Sequence, residues 1–203
     1  MEIKTLTDGF YANTYLLIKE KEVLLIDPAV PLKDIVTVIG DKTLVGVLLT
    51  HGHFDHFKTL KEVLDKYQVA CYLNKKAYLK LSDPESSCAM YFGYLKPDDY
   101  SNCSFKYLSD GATLKISSFE IKTIFTPGHT DCSVCYLIES NLFSGDTLFH
   151  HSVGRTDLQT GSGVLLMESL KKLLRCETDY PVYTGHEEPT SIKEEAMNNP
   201  YYK

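Results

Sequence analysis

The chain has 203 residues, 43% hydrophobic and 24% charged, an ordinary globular composition with enough length for one sizeable core. A net charge of −6, with acids and bases mixed along the chain, argues against nucleic acid as a partner, because phosphate binding needs a basic footprint. No run approaches the ~18 consecutive apolar residues of a membrane span, and Met1-Glu2-Ile3-Lys4-Thr5 lacks the basic-then-apolar order of a secretory signal. The expectation is a single domain over residues 1–203, located in the cytoplasm, with its six cysteines mostly free thiols.

Residues 2–6, 14–18 and 23–26 read as three short strands, the last two joined by the charged turn Lys19-Glu20-Lys21-Glu22. Val23-Leu24-Leu25-Ile26 is apolar throughout, as a strand covered on both faces should be. A helix follows near Leu32 to Ile39, then a buried strand over 44–49. After the polar stretch Thr50–His56, the spacing of Leu60, Val63, Leu64 and Tyr67 predicts a helix from about Phe57 to Lys66. A strand at 69–73 and a lysine-bearing helix near 75–82 lead into an irregular stretch, 83–107, whose Tyr91, Phe92 and Tyr94 argue against disorder. Its length suggests a flap on the substrate side, with plain packing or a dimer insertion as the alternatives. The second half repeats the pattern: strands at 113–116, 119–125, 134–139 and 142–144, a leucine-faced helix at 163–175, a strand at 181–184 and a helix at 192–197. Cys132 and Cys135 form a C-x-x-C pair, but Cys135 falls in a strand and no second pair exists, which disfavours a redox role.

Thr50-His-Gly-His-Phe-Asp-His56 places three imidazoles and a carboxylate at the carboxyl end of a buried strand, where open α/β sheets put their ligands. Neutral imidazole and carboxylate suit zinc or iron. His129, Asp146 and His186 each follow a glycine just beyond another expected strand, so they are candidates for the same centre. His150 and His151 read as partly exposed polar residues, with a substrate contact from one of them as the alternative.

Thr-His-x-His-x-Asp-His, Pro127-Gly-His-Thr130, Ser144-Gly-Asp-Thr-Leu-Phe149 and Gly185-His186 occur in the order found in metallo-β-lactamase-fold hydrolases. Gly154-Arg155-Thr156-Asp157 resembles the small glyoxalase II-like (hydroxyacylglutathione hydrolase-like) members in particular. The resemblance covers about residues 10 to 200 and implies an α/β fold, a four-layer αββα sandwich of two mixed sheets with helices outside. It implies two divalent metal ions, zinc favoured over iron or manganese. His51, His53 and His129 would hold one, Asp55, His56 and His186 the other, and Asp146 would bridge them. Asp27 matches the family's supporting aspartate, which fixes a ligand's tautomer from behind.

Such a pair lowers the pKa of a bridging water toward neutrality, giving a hydroxide able to attack a carbonyl. A thioester suits it, because a thiolate of pKa ~8.5 leaves with little acid assistance. The implied activity is therefore thioester hydrolysis of a small molecule, with neither nucleic acid nor membrane as partner; a homo-oligomer is compatible with the residues. Arg155 is the candidate for pairing with a substrate carboxylate, against a brace to Asp157 or to backbone.

The chain departs from the family at Asp131-Cys132, where Pro-Gly is common, and at Glu187-Glu188, where Gly-Pro is usual. It also stops before the helical C-terminal region that contributes glutathione contacts in full-length glyoxalase II, so S-lactoylglutathione is not specially favoured. Asp146, where true β-lactamases commonly carry cysteine, disfavours that class. The main alternative is a persulfide dioxygenase, with one iron on His51, His129 and Asp146 as a facial triad. A non-catalytic metal-binding protein is the minor one.

Overall fold

The structure is a computed structural model describing residues 1–202. Two six-stranded mixed sheets face each other. The first is built from β1 (Glu2–Leu6), β2 (Thr14–Lys19), β3 (Glu22–Ile26), β4 (Thr43–Leu48), β5 (Cys71–Leu73) and β6 (Phe105–Tyr107), in that spatial order. β1–β3 pair antiparallel and β3–β6 pair parallel. The parallel steps run through α1 (Leu32–Ile39), then α2 (Phe54–Phe57) with α3 (Leu60–Tyr67), and α4 (Lys75–Lys80).

The second sheet comprises β7 (Thr113–Ile116), β8 (Phe119–Phe125), β9 (Val134–Ile138), β10 (Asn141–Gly145), β13 (Pro181–Thr184) and β14 (Thr190–Ser191), ordered β14-β13-β10-β9-β8-β7. The small hairpin β11 (Leu148–Phe149) and β12 (Ser152–Val153) stands apart from it. α5 (Gly163–Leu174) and α6 (Ile192–Asn198) complete the chain.

Alternation along the strands sorts side chains into three apolar layers. Leu16, Val23, Leu25 and Val47 face the helices of the first half. Tyr15, Leu17, Leu24, Ile26 and Leu48 face Phe119, Ile121, Val134, Tyr136 and Phe143 between the sheets. Cys135, Leu142 and Val182 turn outward against Leu166, Leu170, Leu173 and Leu174 of α5. The arrangement is the expected αββα sandwich. Among the described residues no helix is long and apolar enough to cross a membrane.

Three local features differ from expectation. The helix expected from Phe57 is two pieces, so Asp55 and His56 stand on the turn α2 rather than on an open loop. Phe54 and Phe57 bury together in the core. The next turn is broken because Thr59 is tied to the preceding loop, its N–H donating to Pro28 O at 2.9 Å and its hydroxyl to Val30 O at 2.8 Å. The 83–107 stretch contains a 3-10 turn, Ala89–Phe92, as well as β6. β11, β12 and β14 have two residues each, too few to show an alternation. The six cysteines are free thiols, and Cys132 and Cys135 are both buried.

Candidate metal centre

The site lies where the two sheets meet at the carboxyl end of β4. Tyr136 Oη donates to Leu49 O at 2.6 Å and Val134 N to Thr50 O at 2.8 Å, so the second sheet fixes the segment carrying the first ligands. His51 and His53 follow, His53 with extended backbone as the cap of α2, which carries Asp55 and His56. His129, Asp146 and His186 arrive from beyond β8, β10 and β13.

All seven residues are brought together. Their donor atoms form three overlapping groups, each within 4.8 Å: His51-His53-His129, His51-His56-Asp146 and Asp55-His56-His186. His129 Nε2 lies 2.9 Å from His53 Nδ1, and His186 Nε2 lies 3.2 Å from Asp55 Oδ2. The Asp146 carboxylate stands between, 3.1 Å from His56 Nε2, 3.5 Å from His129 Nε2 and 3.6 Å from His186 Nε2.

Contacts behind the rings decide which nitrogens face inward. Asp27 Oδ2 is 2.8 Å from His56 Nδ1, and the same carboxylate accepts from Thr50 N at 2.8 Å and Thr50 Oγ1 at 2.6 Å. With its proton donated to Asp27, the Thr50 hydroxyl oxygen accepts from His51 Nδ1 at 3.2 Å. His129 Nδ1 donates to Arg155 O at 2.8 Å. These contacts favour the tautomer with the proton on Nδ1, which turns Nε2 of His51, His56 and His129 toward the centre. Asp27→Asn, which keeps the shape and weakens the acceptor, is expected to lower metal affinity about 10- to 100-fold, read by competition with a chromogenic chelator.

The donor set fits a metal. His51 Nε2 and His53 Nε2 are buried without a hydrogen-bond partner, a costly arrangement for polar atoms unless something else engages the centre. Burial, reinforced by His56 and its neighbours, holds His51 well below the usual imidazole range. Burial and His129 lower His53 to about 3. Both are therefore neutral, as metal ligation requires. Burial disfavours charge on His56 too, but Asp146 and Asp27 on either side override it and raise its pKa. Asp146 is held well below the carboxylate range: burial opposes this, and His56 outweighs it.

Two glycines make room for this convergence. Gly145 has φ 49°, and a Cβ there would lie 2.6 Å from Thr50 Oγ1. A Cβ on Gly185 would fall 2.0 Å from Asp146 Oδ1 and 2.8 Å from His56 Cε1. Gly185→Ala is expected to fold yet lose metal, with content by elemental analysis falling by about half or more, because the clash lands on ligand atoms.

Lysine 80 is a contributor that sequence reading missed. It is buried, with Nζ 3.0 Å from Thr160 Oγ1 and 3.4 Å from Asp131 Oδ1. It thereby ties the loop bearing His129 to the segment after β12, whose Arg155 carbonyl orients the same histidine. This gives the Asp131 departure a structural role. The Cys132 thiol packs in the core of the first half, and burial raises its pKa, so it is inert packing.

An open cavity of about 750 Å³ leads to the centre, walled by Cys88, Tyr91, Phe92, Phe149 and Val153 beside the ligands. The 83–107 stretch is thus one cavity wall, anchored by Phe92 stacking on Tyr11 at 5.6 Å and Tyr94 against Phe54 at 4.3 Å. Arg155 also lines it, with its guanidinium braced by Asp157 through two 2.7 Å contacts.

The description "Metallo-beta-lactamase superfamily" fits residues 7–186. The chain belongs to that superfamily. It is 34% identical over 196 residues to the probable metallo-hydrolase YqgX of Bacillus subtilis, covering 94% of this chain and 92% of that one. It is 30% identical over 194 residues to the hydroxyacylglutathione hydrolase GloC of Haemophilus influenzae, covering 90% and 88%. Among solved structures it is similar to the BLEG-1 B3 metallo-β-lactamase, with TM-score 0.89, 33% identity and 99% of both chains covered. The di-iron-bound form of TTHA1623 matches with TM-score 0.83 at 28% identity, covering 99% and 100%. ETHE1 from Myxococcus xanthus matches with TM-score 0.79 at 28% identity, covering 98% and 84%.

Proposed function

We propose that this superfamily member is a dinuclear, zinc-dependent hydrolase of a small thioester, working in the cytoplasm. The observation that carries the dinuclear reading is the position of Asp146, within 3.6 Å of histidines from both three-residue sets. His51, His53 and His129 would hold one ion and Asp55, His56 and His186 the other, with Asp146 shared. Two divalent ions so held would supply hydroxide at neutral pH and a Lewis acid for the carbonyl oxygen.

The chain's own residues do the rest. Asp27, Thr50 and the Arg155 carbonyl keep the imidazole lone pairs aimed inward. Tyr91, Phe92, Phe149 and Val153 offer apolar surface that shelters the reacting carbonyl from bulk water. The exposed Arg155 head at the cavity wall would meet a substrate carboxylate in exchange for its Asp157 contacts. A thiolate of pKa ~8.5 needs no side chain to protonate it on departure. The likeness to GloC supports a hydroxyacyl thioester as substrate.

The second reading, a mononuclear iron persulfide dioxygenase on His51, His129 and Asp146, draws on the likeness to ETHE1. It leaves the Asp55-His56-His186 set without a role, and this favours the hydrolase. Purified protein is expected to hold about two metal ions per chain, mostly zinc, and to hydrolyse acyl thioesters in an assay of released thiol. Asp55→Ala should abolish that activity. One tightly bound iron with oxygen uptake on glutathione persulfide would overturn the proposal. Turnover of a β-lactam in preference to any thioester would redirect it toward the activity in BLEG-1's name.

A further inference from the structure

Two features of the sequence stand outside this centre: the adjacent His150-His151, and Glu188, part of the departure after His186. The fold brings them together. His151, in the turn joining β11 to β12, adopts φ 53°. Consecutive side chains leave an extended strand on opposite sides, whereas here the two imidazoles lie side by side, centroids 4.1 Å apart and tilted by 37°. Glu188 Oε1 reaches His150 Nδ1 at 2.7 Å, and Glu194 Oε1, from the first turn of α6, reaches His151 Nε2 at 2.8 Å. Asn198 Nδ2 donates to that Glu194 oxygen at 2.9 Å, and His151 N donates to Glu195 Oε2 at 3.0 Å, so ring and carboxylate are both held from behind. Donor atoms of His150, His151 and Glu194 fall within 4.8 Å of one another.

We propose that His150, His151 and Glu194, with Glu188 beside them, form a peripheral site for one divalent cation of the zinc class, separate from the catalytic pair. Two imidazoles and carboxylate oxygens are the donor set that zinc, nickel and copper share. Two surface His–Glu pairs would be the plain alternative, but exposed pairs add little to stability. The two-residue turn between Phe149 and Ser152 accounts for the left-handed φ of His151, and that turn sets two imidazoles side by side with a carboxylate on each. A bound ion would tie α6 to the hairpin whose Phe149 and Val153 line the catalytic cavity.

The test is calorimetric titration of tag-free protein with zinc after its catalytic ions are in place, wild type beside His151→Gln and Glu194→Gln. Wild type should take up one further equivalent per chain, and both variants should bind it about tenfold or more weakly. Thioester turnover with the catalytic ions filled should be the same in all three. The further equivalent is counted independently of activity, so it stands or falls apart from the thioester reading. No further uptake by wild type, or uptake of undiminished affinity in both variants, overturns the site.

Discussion

Asp146→Asn should leave the protein with at most one firmly held metal ion and lower thioester turnover by about 10³-fold, close to 4 kcal/mol of lost transition-state stabilisation. The expectation follows from geometry. Asp146 is the carboxylate that faces His56, His129 and His186 together, and asparagine would keep its shape while removing the charge. The amide also presents NH₂ hydrogens where nitrogen lone pairs converge, so one face of the cluster gains a donor in place of an acceptor. His56 loses one of the two carboxylates that hold it and keeps only Asp27. Asp27→Asn touches the centre through one ring, which is why its expected effect is smaller. Metal content by elemental analysis and released thiol, measured on the same preparation, give the comparison. Two retained ions with near-normal turnover would remove Asp146 from the shared position.

The fold and the seven candidate ligands were legible because each carries a local signature. β-branched apolar runs mark the buried strands, and a glycine followed by histidine or aspartate marks where they end. Less visible were partners that act from behind. Asp27 stood out as a carboxylate at a strand end, but Thr50 looks like any loop threonine and the Arg155 carbonyl has no side-chain signature across the 26 residues to His129. Lys80 is one of three lysines in a short helix, and lysines mostly face solvent. Only the packing of α4 under the histidine loop, where a Cβ on Gly52 would meet Lys80 Cβ at 2.9 Å, shows that it is enclosed. The helix break at Thr59 was hidden for the same reason, since its cause is a pair of hydrogen bonds to Pro28 and Val30 carbonyls far back in the chain.

Removing the metal should cost this protein much of its stability and leave it acid-sensitive. An ion that binds only the folded state adds about 4 kcal/mol when present at a thousand times its Kd. For a chain of this size each kcal/mol is worth about 2–4 °C in Tm, so chelation should lower Tm by about 8–16 °C per ion. The pH dependence has a definite sign. His51 and His53 are buried neutral, with folded pKa values below the unfolded value near 6.5 and, for His53, down to about 3. The unfolded chain takes up those protons first, so their contribution is complete above about pH 6.5 and drains away as pH falls toward 3. His56 runs the other way: its raised pKa makes its contribution complete below about 6.5 and lost as pH climbs through the folded value. Asp55 and Asp146, both depressed, add a further loss below their ordinary range near 3.8. Acidification therefore opposes two imidazoles and two carboxylates and favours one imidazole, and the stripped protein should melt progressively lower from about pH 6.5 downward. The loaded protein should hold its Tm further into acid and then drop where protons displace the ion from its ligands. Melting curves from pH 8 to 4, with and without chelator, would show the two profiles separating. A chelated protein that melts within about 2 °C of the loaded one at pH 7.5 would mean that the inward-facing lone pairs tolerate each other without a cation, and the metal centre would have to be withdrawn.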